Sequence, residues 1–289
     1  MICTRRLLLS GLALLVFLIL PALRCSAAQT FRQIEMGNYT VLTNALSERK
    51  VTAWMEKFDL QRRAAQQLIG LEDRQVLRLT VLLLEKDRDF LELIGDRRMQ
   101  MHSGCAPELV VQSVGLARQP MIALSIESGF SGSEMKIRSV LAMWLLSSSG
   151  VIYDPWVVQG FLHFFQEANI RSNWLTVGQS NRHNVEELGN NRDQFQFTLA
   201  SGALPPAMAW LAFYHLTIKQ GEWQGFGNLA EYQQRVTEGT SRAEAFAQVF
   251  GQSPADASEA MMRRLKSMDF GVVRIPSDVR HQEAEVALR

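Results

Sequence analysis

The feature that bounds everything else is an apolar run near the N-terminus, Leu7–Leu23 (LLLSGLALLVFLILPAL), preceded by Arg5 and Arg6 and followed by Arg24-Cys25-Ser26-Ala27-Ala28. A basic start, an apolar middle and small residues at the −3 and −1 positions are the parts of a secretory signal peptide. Ser26 and Ala28 fill those two positions, so cleavage is expected after Ala28, leaving Gln29 first. Pro21 breaks the run late, which argues against a continuous span. Left uncleaved, the same run would serve as an N-terminal membrane anchor. Arg24 is bulky where a lipid-modified Cys25 would want a small neighbour. The expected product is an exported protein, periplasmic or extracellular, with no integral membrane segment after cleavage.

Removing residues 1–28 takes away Arg5, Arg6 and Arg24 and no acid, so 30 basic against 29 acidic side chains becomes 27 against 29. So balanced a charge gives no electrostatic footprint for nucleic acid or an anionic membrane surface. Of three cysteines only Cys105 survives cleavage, so an internal disulfide is excluded and the core alone must hold the fold. A single domain over 29–274 is expected, followed by a flexible tail at 275–289.

Hydrophobic periodicity gives the order of elements. Tyr39–Ala45 is short and β-branched, a strand. Val51, Trp54, Met55, Phe58, Ala65, Leu68 and Ile69 then recur at helical spacing up to Gly70, with Arg62, Arg63, Gln66 and Gln67 on the opposite face. Val76–Leu84 and Met121–Ile126 read as buried strands, Asp87–Leu93 as a short helix and Ser128–Ser133 as a Gly/Ser loop. From about residue 134 the chain reads as helical: Glu134–Leu146, a helix opened by Asp154-Pro155, Pro206–Lys219 and Leu229–Val236. Residues 170–200 read as a polar surface loop. Ser241-Arg242-Ala243-Glu244 spells a capping box, and Ser253-Pro254 starts a last helix. The class is α+β: a small N-terminal sheet with a long helix, then a mostly α-helical C-terminal half.

The common catalytic motifs are missing. The chain has no Gly-rich phosphate loop, no G-x-S-x-G elbow, no HExxH and no CxxC. Ser131 lies in Gly129-Phe130-Ser131-Gly132, one residue short of an elbow, and reads as loop. Cys105 has no Cys–His pattern around it and reads as an idle thiol. Among His102, His163, His183, His215 and His281, His163 is singled out with an acidic partner four residues on, Glu167. That pair suits a hydrogen bond on one helix face as well as a metal clip.

The element order and one local stretch carry a resemblance. Trp156-Val157-Val158-Gln159-Gly160-Phe161-Leu162-His163-Phe164-Phe165 resembles the second motif of gluzincin-type (peptidase MA-like) metallopeptidases, approximately W-L-x-E-G-x-A-x-Y-F. The tail from Pro205 to Leu265, with its AFAQVFG, is similar to that family's closing helices, so the likeness covers roughly residues 38–268 and implies a zincin-like fold. In the family an HExxH helix supplies two zinc-binding histidines and a general base, and the glutamate of W-L-x-E-G is the third ligand. The resemblance matches Ser139, Val140 and Met143 to the His, Glu and His positions and Gln159 to the third ligand. No shift of register restores the site, because Ile137–Leu146 contains no histidine. The likeness therefore implies a degenerate member: no catalytic residues, no metal and no cofactor.

Two roles follow as expectations. The first is a non-catalytic exported protein that binds a peptide or an envelope protein. Its candidate cleft lies between the Ile122–Ile126 strand, whose edge would pair with the peptide, and the helices around Met143 and Gln159. Trp144, Trp156, His163 and Glu167 are the candidate lining, unless the tryptophans are simply core. The second is an active zinc metallopeptidase with a relocated site, in which His163, Glu167 and His183 or His215 converge on one ion.

Overall fold

In this computed structural model the described residues are 31–45, 47–72, 78–89, 109–114, 117–127, 129–171, 174–180, 182–190, 199 and 202–276. The expected leader (1–28), Cys105, His102, His281 and nearly all of the expected tail lie outside them. The architecture is α+β, as the sequence predicts. The chain divides into two compact units, residues 1–54 with 77–133 and residues 55–76 with 134–289. No described helix is long and apolar enough to cross a membrane.

The first unit is built on a five-stranded sheet of β1 (Arg32–Met36), β2 (Tyr39–Thr43), β3 (Leu79–Leu84), β4 (Leu109–Val114) and β5 (Ala117–Ser125), in spatial order β1-β2-β3-β5-β4. The β2–β3 and β3–β5 pairs are parallel; the outer two pairs are antiparallel. A parallel pair needs a long crossover, and α1 (Glu48–Ile69) lies in the β2–β3 connection. Both faces of β3 are covered: Leu79, Val81 and Leu83 are fully buried on one, and Leu82 and Leu84 join Met121 and Ala123 on the other. That explains its unbroken apolar run. Asn44 pins the strand ends, its Nδ2 donating to Asp89 Oδ2 (2.9 Å) and its Oδ1 accepting from the Glu85 N–H (2.8 Å).

Within the expected peptide-binding edge, residues 122–125 belong to β5, which is hydrogen-bonded to β3 along residues 121–125 on one side, while on the other β4 pairs with residues 117–122. Periodicity marks a strand as buried but does not say which neighbours it takes.

The apolar face of α1 is buried as its spacing predicts, and Gly70 (φ +79°) ends it in the left-handed conformation that suits glycine. Its polar face differs from expectation. Arg62 and Gln66 are buried; Arg62 Nε pairs with Asp59 Oδ1 (2.9 Å), and Gln66 Nε2 donates to the Leu71 carbonyl (3.1 Å). Local ion pairing is what makes such burial tolerable.

The second unit is mostly helical. It contains the bulk of α2 (Gly129–Ser148), then α3 (Pro155–Gln166), α4 (Arg182–Asn190), α5 (Pro206–Thr217), α6 (Gly227–Thr237), α7 (Arg242–Phe250) and α8 (Pro254–Ser267). Of the expected loop at 128–133, residues 129–133 are instead the start of α2, opened by Gly129 (φ +72°). The expected loop at 170–200 holds β6 (Asn169–Ile170), β7 (Trp174–Val177) and α4; Leu175 and Val177 are fully buried. Alternation over four residues is too short to stand out from a polar background. β10 (Val273–Pro276) pairs antiparallel with β7, so residues 275–276 belong to a strand rather than to the tail. A hairpin of β8 (Ile218–Lys219) and β9 (Glu222–Trp223) follows α5.

Helix α5 is the core of this unit, with Ala207–Tyr214 all buried. It meets α3 at Gly160, where a Cβ would lie 2.5 Å from the Ala209 carbonyl oxygen and 2.6 Å from Phe213 Cβ. Only glycine permits that approach. Around it Phe161 meets Phe226 edge-on (5.0 Å), and Phe164 stacks on Trp223 (5.4 Å). The capping box at Ser241 is half-made. Its Oγ accepts from the Glu244 N–H, while the Glu244 carboxylate accepts from Gln248 instead. The full box belongs to Ser253 and Asp256 of α8.

Candidate functional site

Helices α2 and α3 hold the positions that the family resemblance singles out. Ser139 is buried and committed: its hydroxyl donates to the Met135 carbonyl (3.0 Å) and accepts from Gln166 Nε2 (2.7 Å). Val140 is 0% exposed, so the position matched to the general base is apolar and closed to water. Met143 is half-buried, and so is Gln159. Gln159 lies seven residues before the glutamine that meets Ser139, a separation of about 10 Å along a helix. An engaged hydroxyl, an isopropyl group, a thioether and a neutral amide do not fit zinc, which takes imidazole, thiolate or carboxylate donors.

Beside Ser139 lies an ionic cluster that the sequence did not announce. Arg138 donates from Nε to Gln61 Oε1 (2.9 Å), from Nη1 to the Gln166 carbonyl (2.6 Å) and from Nη2 to the Glu134 carboxylate. Gln61 Nε2 donates to the same carboxylate (3.0 Å). Burial pulls the Arg138 guanidinium below its ordinary pKa; Glu134 and, more weakly, Glu167 oppose the shift. The cluster is saturated with partners, as buried charge must be. Glu167, a candidate for the cleft, thus acts on Arg138.

The candidate tryptophans are core. Trp144 is 1% and Trp156 0% exposed, so neither lines an open surface. His163 is half-buried, and burial holds its pKa below the ordinary histidine value. The acid that acts on it is Glu187 of α4, not Glu167, with His183 opposing. His183 is itself exposed, 3.9 Å from Glu187. His215 lies on α5 among Arg264, Lys219 and Arg263. Among the described residues no three His, Cys, Asp or Glu side chains form a group that could hold a metal ion.

A second polar constellation sits where α3 begins. The sequence reads Asp154-Pro155 as a helix start, and Pro155 is in the first turn, yet the Asp154 side chain makes no cap. It is only 5% exposed and forms a two-pronged pair with Arg242, Nε to Oδ2 at 2.9 Å and Nη2 to Oδ1 at 3.0 Å. The Tyr232 hydroxyl donates to Oδ2 (2.9 Å), and the Asp154 N–H donates to Gln233 Oε1 (2.6 Å). Burial, reinforced by the Asp154 charge, raises the Tyr232 pKa, so the phenol stays protonated and donating. Gly202 (φ +68°) passes so close that a Cβ there would be 2.9 Å from Asp154 Oδ1. With both oxygens engaged, this carboxylate serves to tie α3, α6 and α7 together.

Comparison with protein families and with curated proteins finds no match to this chain.

Proposed function

We propose that this chain is a non-catalytic exported protein, a degenerate gluzincin-like fold with a binding or scaffold role in the cell envelope, its partner a peptide or another envelope protein. The observation that carries the reading is the complete burial of Val140 within a helix, Gly129–Ser148, that contains no histidine. A metallopeptidase needs a carboxylate and two imidazoles on such a helix, open to water. Signal-peptide features at residues 1–28 support export, and the Trp156–Phe165 stretch supports the family relationship.

The test is metal content and peptidase activity of the purified protein (residues 29–289), with a zinc titration alongside. The expected result is no stoichiometric zinc, no binding in the micromolar range and no hydrolysis of peptide libraries. Stoichiometric zinc that disappears on His163→Ala would overturn the reading and establish a metallopeptidase with a relocated site.

A further inference from the structure

Basic side chains converge where α5 ends. His215 is in the last turn of α5, Lys219 follows in β8, and Arg264 belongs to α8. The three line a cavity of about 370 Å³, walled on its apolar side by Ile218 and Phe250, with the Gln252 amide at its margin. The charges acting on His215 are Arg264, Lys219 and Arg263, all of one sign. Arg263 is paired with Glu259 at 3.6 Å.

The polar atoms here are short of hydrogen-bond partners. Among the described residues, His215 Nδ1 and Arg264 Nη1 are buried and have no hydrogen-bond partner. Arg264 rests its guanidinium over the Tyr214 ring, 5.2 Å from the centroid, a contact that fixes its position and leaves Nη1 unmatched. Buried donors without partners are rare, and an ion at the site is one of the few explanations for them. A guanidinium next to an ammonium is the donor set that carboxylates and phosphates select. The cavity lies within the size range of small-molecule sites, about 300–1,000 Å³, and offers apolar wall as well as charge.

We infer that this cavity binds a small organic anion, whose carboxylate or phosphate head is received by Arg264, Lys219 and His215 and whose apolar body is covered by Ile218 and Phe250. The site does not depend on the fate of the α2–α3 positions, and either reading can fail without the other.

Calorimetric titration of the purified protein with benzoate, phenyl phosphate and inorganic phosphate tests the assignment and separates the two head groups. At least one aromatic anion is expected to bind with a Kd below about 1 mM and more tightly than inorganic phosphate. Arg264→Gln is expected to weaken it at least about tenfold, and Lys219→Gln, at an exposed residue with no fold to disturb, by about threefold or more. Lys266→Gln, on the exposed face of α8, should leave the affinity unchanged. Binding should also move the His215 ring resonances in an NMR titration and raise the pH at which they titrate. No heat with any of the three anions at about 10 mM, or equal effects of Lys219→Gln and Lys266→Gln, would overturn the assignment.

Discussion

Asp154 and Arg264 belong to the same unit, and their surroundings are opposites. The Asp154 carboxylate is nine-tenths buried and fully engaged, taking three hydrogen bonds from Arg242 and Tyr232. Arg264 and its neighbour His215 each bury an atom that, among the described residues, bonds to nothing. The first cluster is closed from within, and its energy belongs to the fold. The second lacks a component, and its energy belongs to whatever supplies it. Charge alone does not separate structural from functional groups; the state of their hydrogen bonding does.

That contrast breaks if the two clusters respond alike to deletion. Asp154→Ala should be the most damaging single change, costing about 3–5 kcal/mol in chemical denaturation, because it strands Arg242 and the Tyr232 hydroxyl. Gly202→Ala, which places a methyl against Asp154 and holds alanine at positive φ, should cost about 2–3 kcal/mol and lower the melting temperature accordingly. Losses from both below about 1 kcal/mol would mean that the Asp154 cluster does not hold the fold together.

The pocket makes a different prediction, written in pH. Burial and three cations lower the His215 pKa to about 4, below its unfolded value of 6.5, so the unfolded chain binds the extra proton more readily. Stability contributed by neutral His215 is therefore complete above about pH 6.5 and is lost as pH falls toward 4. The loss should approach about 3 kcal/mol, seen as the difference between wild type and His215→Leu in urea denaturation across that window. Parallel pH profiles of the two proteins would remove His215 from the account. At pH 7 the same substitution should change stability by less than about 1 kcal/mol, since it exchanges an unpartnered polar ring for an apolar side chain.

Much of the fold was legible because it rests on periodicity. The apolar stripe of α1, the run that becomes β3 and the stop at Gly70 are statements about one segment at a time. What escaped depends on pairs. Asp154 does stand where the helix starts, as the sequence reads, but the partners of its side chain, Tyr232 and Arg242, lie 78 and 88 residues away. Arg62 and Gln66 looked solvated because they lie opposite the apolar stripe, although Asp59, one turn before Arg62, is its ion-pair partner. β4, which pairs with residues 117–122 of β5, arises in a stretch without a clear pattern. For the candidate site, the sequence supplied the histidines but not their company. His163 turns out to feel Glu187 rather than Glu167, and His215 keeps only cations. Sequence spacing finds motifs whose members share a helix, and neither of these clusters is of that kind.

Each unit is discontinuous in the chain. The second needs residues 55–76 from before the sheet closes, where Gln61 meets Arg138 and Gln67 Nε2 donates to the Pro276 carbonyl (2.6 Å), and it needs β10 near the other end to pair with β7. Its contacts are thus of long sequence separation, and it cannot complete itself while the chain is still emerging from the ribosome. A unit whose β7 waits for β10 stays incomplete until residue 276 has been made.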